Sequence, residues 1–258
     1  MLLREIFKDA QGIRITGNPA AVIGGITNDS RKVKKGDLFF AVIGQKEDGN
    51  KYVRSALEKG AATVVTDKPI PAELSAAFPQ AAWVSVPDVI KAMSGAASAF
   101  YGHPSRRFTL IGITGTNGKT TTAYLLENIY ALAGAKPGVI GTIDYRVDGK
   151  LIAKAANTTP LAHELHSLFN TMAEAGSKAV VMEVSSHALA LNRADAAAFD
   201  AAVFTNLQRD HLDFHKDLES YFEAKLRLFQ LLADSPKKRP IAVVNADEDK
   251  AAAILAVL

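Results

Sequence analysis

Cysteine is absent from the 258-residue sequence, which excludes disulfides and thiolate metal sites and fits a reducing, cytoplasmic setting. Any metal has to be held through oxygen or nitrogen. No run approaches the roughly 18–20 apolar residues of a membrane span. The first ten residues interrupt their apolar positions with Arg4, Glu5, Lys8 and Asp9, so they read as an amphipathic helix and not as a secretory signal. An excess of charge of one sign is also missing: Lys and Arg total 30 against 27 Asp and Glu, and they are scattered, so no basic stripe points to nucleic acid or to an anionic membrane surface. There is no internal repeat and no low-complexity tract beyond alanine-rich helix surface. The expectation is a soluble, cytoplasmic monomer with no nucleic-acid or membrane partner, long enough for about two globular domains.

Within the first 87 residues, short strand-like runs at 21–26, 37–43, 62–66 and 82–86 alternate with turns, and helical spacing over 52–59 stops at Gly60. This predicts a small α/β domain over 1–87. The alanine-rich stretch 88–101 opens with a capping Asp88 and closes before Gly102 and Pro104, so it reads as a helix joining two domains. From residue 108 a regular strand, turn, helix rhythm begins, with apolar runs at 108–113, 139–143, 179–184, 201–205 and 241–244. Such runs predict a P-loop-type, mostly parallel sheet with helices on both faces over 88–258. Ligands of these sheets gather at the carboxyl ends of strands. The candidate residues follow four such ends.

After the run at 108–113 comes Thr114-Gly115-Thr116-Asn117-Gly118-Lys119-Thr120-Thr121-Thr122, then helical spacing: the strand, glycine loop, helix order of a nucleotide-binding loop. Backbone N–H groups of Gly115, Thr116, Asn117 and Gly118, with Lys119, Thr120 and Thr121, would cradle the phosphates of ATP. Thr120 is placed to hold Mg²⁺. Ile113 stands where the usual spacing has its first glycine, and Gly115 is expected to replace it in a shorter turn. A purely structural turn is the alternative, against which three successive threonines, poor helix-interior residues, argue.

The run at 179–184 delivers Glu183, either a second Mg²⁺ contact facing the loop or a surface carboxylate. His211 and His215 share the four-residue spacing of a zinc helix, yet the neighbouring aspartates suit a harder cation. Taken alone, either histidine reads as structural before it reads as a ligand. In the helix expected over 218–232, Leu218, Phe222, Leu226 and Phe229 form the apolar stripe, and Lys225 falls on it. That lysine either snorkels to water, pairs with Glu223 or Asp213, or has a lowered pKa and reacts with CO₂ to form a carbamate.

Taken together, Asp29-Ser30-Arg31, residues 36–40, Asp48-Gly49, Gly115–Thr121, Asn157-Thr158-Thr159-Pro160, residues 182–189 and 205–215, and Glu223-Ala224-Lys225 resemble the Mur ligases, most closely the MurE branch. The resemblance covers essentially the whole chain. It implies an ATP-dependent ligase that adds the third amino acid, diaminopimelate or lysine, to UDP-MurNAc-L-Ala-D-Glu through an acyl phosphate. By the same resemblance the first domain would bind uridine diphosphate near Asn28, Ser30 and the Gln45-Lys46-Glu47 turn. The sugar and peptide would meet Asn157, Thr158, Thr159, Ser185 and Arg193. Thr120 and Glu183 would share one Mg²⁺, and His211 with carbamylated Lys225 a second, making Lys119, Lys225 and His211 the catalytic candidates. Family members continue into a further domain, so the chain as given is expected to bind the UDP-linked substrate without ligating it. A folylpolyglutamate-type ligase and a nucleotide-binding module are the competing readings.

Overall fold

Apolar runs too short for helices, each closed by Gly, Pro or Asp, become strands. The computed structural model describes residues 1–44, 47–211 and 213–258 in two units, Met1–Gly102 and His103–Leu258. In the first unit, β2 (Gly25–Thr27), β3 (Asp37–Phe40), β4 (Thr63–Thr66) and β5 (Ala82–Ser85) run parallel, and β1 (Arg14–Thr16) closes one edge antiparallel to β5. Phe39, Val64 and Trp83 share a core with Val53 and Leu57 of α2 (Val53–Glu58) and Leu74 of α3 (Ala72–Ala77). The N-terminal helix is a single turn, α1 (Leu3–Ile6).

The helix expected to join two domains is α4 (Val89–Phe100), capped as anticipated by Asp88, which accepts from Ile90 N at 2.9 Å and Lys91 N at 3.0 Å. It is not a linker. Buried Val89, Met93, Ala96 and Ala97 fix it in the first unit, where it packs on α1, so the division falls after Gly102 and not after residue 87. Helix α4 ends just before this point, where Gly102 and His103 both adopt left-handed backbone (φ 68° and 55°) ahead of Pro104.

The second unit is a seven-stranded sheet in the order β12-β11-β6-β10-β7-β8-β9. Strands β6 (Thr109–Thr114), β7 (Gly138–Ile140), β10 (Ala179–Glu183), β11 (Ala201–Phe204) and β12 (Ile241–Val244) are parallel. Beyond them, β8 (Asp144–Val147) and β9 (Lys150–Lys154) form an antiparallel hairpin on Asp148-Gly149, both at positive φ. Side chains of β6 alternate between two cores, as a strand covered on both faces requires. Ile111 and Ile113 join Ala123 of α5 (Lys119–Leu132). Leu110 joins Phe169 of α6 (Ala162–Glu174), Leu189 of α7 (Ser186–Ala190) and Phe229 of α8 (Leu218–Ala233) in the larger core. The chain ends in α9 (Ala251–Leu255), whose Ile254 reaches the same core. Gly112 faces Phe199 and Leu228, where a Cβ would stand 2.7 and 3.0 Å away. No helix among the described residues is long and apolar enough to cross a membrane.

His166 on α6 is fully buried, and among the described residues neither ring nitrogen has a partner. Burial, with His103 adding to it, pushes its pKa from 6.5 down to about 3. The unfolded chain therefore takes up a proton that the folded chain refuses between those values, and folding weakens as pH falls from about 6.5 towards 3. His166→Leu should remove a destabilisation of about 2 kcal/mol at pH 5. Denaturant unfolding of the two proteins at pH 5 and pH 8 checks this, with the gap expected at pH 5 to exceed that at pH 8.

Candidate active site

Strand β6 ends at Thr114, and the chain turns through Gly115 and Gly118, at φ 145° and 84°, into α5 at Lys119. A side chain at Gly115 would overlap Thr205 Oγ1, so glycine is required there by backbone and space alike. No side chain caps the amino end of α5. Its first-turn N–H groups are thus available to an anion. Lys119 folds back, Nζ donating to the carbonyls of Gly115 and Thr116 at 2.8 Å each. Burial lowers its pKa, opposed by Glu183 and then Asp210.

Glu183 closes β10 and is 1% exposed, which rules out a surface carboxylate. Its two oxygens accept from Thr120 Oγ1 at 3.0 and 2.9 Å, from Thr142 N at 3.0 Å and from Thr142 Oγ1 at 3.2 Å. Gly141 makes the approach feasible, since a Cβ there would lie 2.5 Å from Glu183 Oε1. Thr142 was not among the sequence-derived candidates. It follows β7, which pairs with β10, so the strand-end rule applied to β7 could have found it.

Helix α8, capped by Asp217 through Ser220 N at 2.7 Å, buries a face rotated from the expected stripe. Tyr221, Phe222, Lys225, Leu228, Phe229 and Leu232 are inside, whereas Leu218 is 36% exposed and Leu226 half-buried. Lys225, 1% exposed, neither snorkels nor pairs with the exposed Glu223 or Asp213. Its Nζ lies 4.0 Å from the centre of the Tyr221 ring. Burial, then the charge of Lys119, lowers its pKa to about 7, with Asp210 opposing.

The two histidines four residues apart do not act as a pair. His211, at φ 53°, is exposed, its Nε2 3.7 Å from Asp210. His215 is buried, with Nε2 3.0 Å from Ser186 Oγ, and its pKa is lowered by burial and then by His187 and Lys225. The rings of His211 and His215 both meet His187, at 5.0 and 5.6 Å. Leu212 lies outside the described residues.

A cleft of about 320 Å³ unites Thr116, Asn117, Gly118, Lys119, Thr120 and Thr121 with Thr158, Glu183, Ser185, His211 and Lys225, and adds Thr142, Ser186 and Tyr221. Gly115, Asn157, Thr159 and Arg193 are not part of this lining. Thr159 Oγ1 donates to Glu183 O at 2.9 Å and accepts from Ser185 N at 3.0 Å, and Arg193 Nη1 donates to Thr159 O at 3.0 Å. Tyr145 Oη donates to Asn157 O at 2.5 Å. Asn28, Ser30 and Glu47 belong to the first unit, where Lys59 Nζ donates to Ser30 O at 2.9 Å and Tyr52 Oη to Glu47 at 3.2 Å. Gln45 and Lys46 lie outside the described residues. Among the described residues no three His, Asp or Glu form a metal-holding group. The Glu183 carboxylate beside the Thr120 hydroxyl is instead a donor pair that could hold a Mg²⁺ completed by other oxygen ligands.

Residues 113–258 match the Mur ligase middle domain, and residues 22–101 match the Mur ligase family, catalytic domain. The chain belongs to the Mur ligase family. A Geobacter sulfurreducens protein named UDP-N-acetylmuramoyl-L-alanyl-D-glutamate–2,6-diaminopimelate ligase is 45% identical over 257 residues, which are 99% of this chain and 49% of that protein. A solved structure of a ligase with the same name superposes with a TM-score of 0.80 at 27% identity, covering all of this chain and 49% of the other. The Thermotoga maritima MurF ligase in complex with ADP shares the fold, with a TM-score of 0.56 at 24% identity over 86% of this chain and 46% of the other. This Mur ligase chain spans about half the length of the curated relatives it matches.

Gly141→Ala is expected to push the Glu183 carboxylate off Thr120 and Thr142. Titration with ADP should then give an affinity about tenfold weaker than the parent's with Mg²⁺ present and unchanged in chelator. An equal loss in both conditions would refute a metal role for Glu183.

Proposed function

We propose that this chain carries the UDP-substrate and ATP sites of a ligase that joins diaminopimelate to UDP-MurNAc-L-Ala-D-Glu. The observation that carries the reading is the meeting of Lys119, Thr120, Glu183 and Lys225 in one cleft at the carboxyl ends of parallel strands. The names of the similar ligases support the amino acid, and the glycine loop leading into α5 with Lys119 supports the nucleotide.

A carboxylate is a poor electrophile and repels the triphosphate that has to activate it. The residues of the cleft address both difficulties by positioning and charge. Open N–H groups at the start of α5 and the Lys119 ammonium take the phosphate tail. A substrate carboxylate oxygen bonds to the γ-phosphorus as the β–γ bridging P–O bond breaks and ADP departs. The amine nitrogen then attacks the acyl carbon, phosphate leaves, and the amine's proton is lost to solvent. Glu183 with Thr120, and His211 with Lys225, are the residues that would hold two Mg²⁺ ions. These ions, when bound, neutralise charge on the transferring phosphoryl group.

Lys225 can serve as a ligand only after losing its positive charge. Its neutral amine adding to CO₂ gives a carbamate and releases one proton, turning a cation into two oxygen donors. Burial against the Tyr221 ring, with no carboxylate ion pair among the described residues, suits that chemistry. In the first unit, Asn28, Ser30 and Glu47, with Gln45 and Lys46 outside the described residues, would meet uridine diphosphate. Asn157, Thr158, Thr159, Ser185 and Arg193 would meet the sugar and dipeptide.

The test uses a chain of the relatives' full length. Phosphate release from ATP should require both the UDP-linked dipeptide and diaminopimelate. Lys225→Ala should lower turnover by about a hundredfold or more, and added formate or acetate should restore part of it. Failure of the parent to ligate sinks the function. Full turnover in Lys225→Ala sinks the carbamate alone.

A further inference from the structure

The phosphate loop is not free-standing. The segment after β11 runs beside it and takes the polar groups of two of its residues. Thr116 N donates to Asn206 O at 2.9 Å, and Gln208 N donates to Thr116 Oγ1 at 2.9 Å. At Asn117 three polar groups are engaged. Its N–H donates to Asn206 Oδ1 at 2.9 Å, and its carbonyl accepts from Asn206 Nδ2 at 3.2 Å and Thr205 Oγ1 at 2.7 Å. Its side-chain amide donates to Gln208 Oε1 at 3.0 Å.

A single side-chain amide thus reads both backbone groups of Asn117. An Asn117 N–H already bonded to Asn206 is not offered to phosphate. Asn206 itself is absent from the cleft lining. The loop also lacks the glycine that ordinarily opens such a turn, Ile113 standing in its place, so something else has to hold its shape. We propose that Asn206 is a positioning residue for the nucleotide phosphates. Its amide clips Asn117 and fixes the Gly115–Gly118 turn, while Asn117 is held by the protein and does not itself grip the ligand. This rests on the reading of the loop as a phosphate site.

The physical reason for an asparagine is its paired donor and acceptor. Alanine supplies neither. Aspartate keeps the acceptor for Asn117 N–H but sets a second oxygen against Asn117 O, so the two substitutions separate the bonds. Because the clip acts through the loop, its loss should cost more affinity as phosphates are added to the ligand.

Calorimetric titration of the parent, Asn206→Ala and Asn206→Asp with AMP and ADP tests this, with thermal unfolding as the check on folding. Both variants should bind ADP about tenfold or more weakly, lose less for AMP, and unfold within a few degrees of the parent. ADP affinity within twofold of the parent in either folded variant overturns the proposal, as does an equal loss for AMP and ADP. If the alanine variant fails to fold, the aspartate variant decides. A parent that binds neither nucleotide contradicts the phosphate-site reading itself, which is a separate result.

Discussion

A carboxylate withdrawn from water has to be met by hydrogen-bond donors or a cation, and its neighbours are constrained accordingly. Glu183 imposes that constraint on this cleft. Two of its contacts come from Thr120, in the first turn of α5, and two from Thr142, just past β7. Three strand ends are therefore tied to one side chain. Gly141 lacks a side chain so that the carboxylate fits, and Thr159 holds the backbone carbonyl of the same residue. Moving Glu183 would disturb the loop that follows β6, the turn that follows β7 and the segment leading into α7.

Around that anchor the charges are arranged for anions. Lys119 and Lys225 both lie in the cleft; burial lowers the pKa of each, and the charge of Lys119 lowers that of Lys225 further. Two ammonium groups near one carboxylate leave a surplus of positive potential in a partly desolvated space, where Coulomb interactions are stronger than in water. A polyphosphate would offset that surplus, and the proposed carbamate on Lys225 would reverse the sign there and call for hard cations. Tyr221 contributes twice: its ring lies against Lys225, and its hydroxyl is 3.4 Å from Thr116 Oγ1, so the helix bearing the lysine also touches the phosphate loop.

Much of this was legible in the residues. The loop from Gly115 to Thr121 and the strand delivering Glu183 are local patterns, and the structure brings them together because both strands are parallel neighbours in the sheet. What was not legible depends on tertiary placement. The β8–β9 hairpin carries an Asp148-Gly149 turn signal, but its strands are largely polar and half-exposed, so an apolar-run criterion passes over them. Helix α8 was found, yet its buried face was misjudged by a rotation, because Tyr221 takes a core place that a stripe of aliphatic residues and phenylalanine does not anticipate. The boundary near residue 87 failed for a related reason: alanine-rich spacing cannot say which unit a helix packs on. Nor do single-residue patterns reveal that Thr142 and Asn206 reach across the fold to Glu183 and Asn117.

The central claim is that Glu183 and Thr120 form a hard-cation site at the mouth of the phosphate loop. Crystals of the protein grown with Mn²⁺ and a non-hydrolysable ATP analogue, measured at the manganese absorption edge, test it most directly. An anomalous peak within coordination distance of Glu183 and Thr120 Oγ1, and touching the analogue's phosphates, is the predicted result. Manganese held elsewhere, with the Glu183 carboxylate still bonded to Thr120 and Thr142 alone, would contradict it.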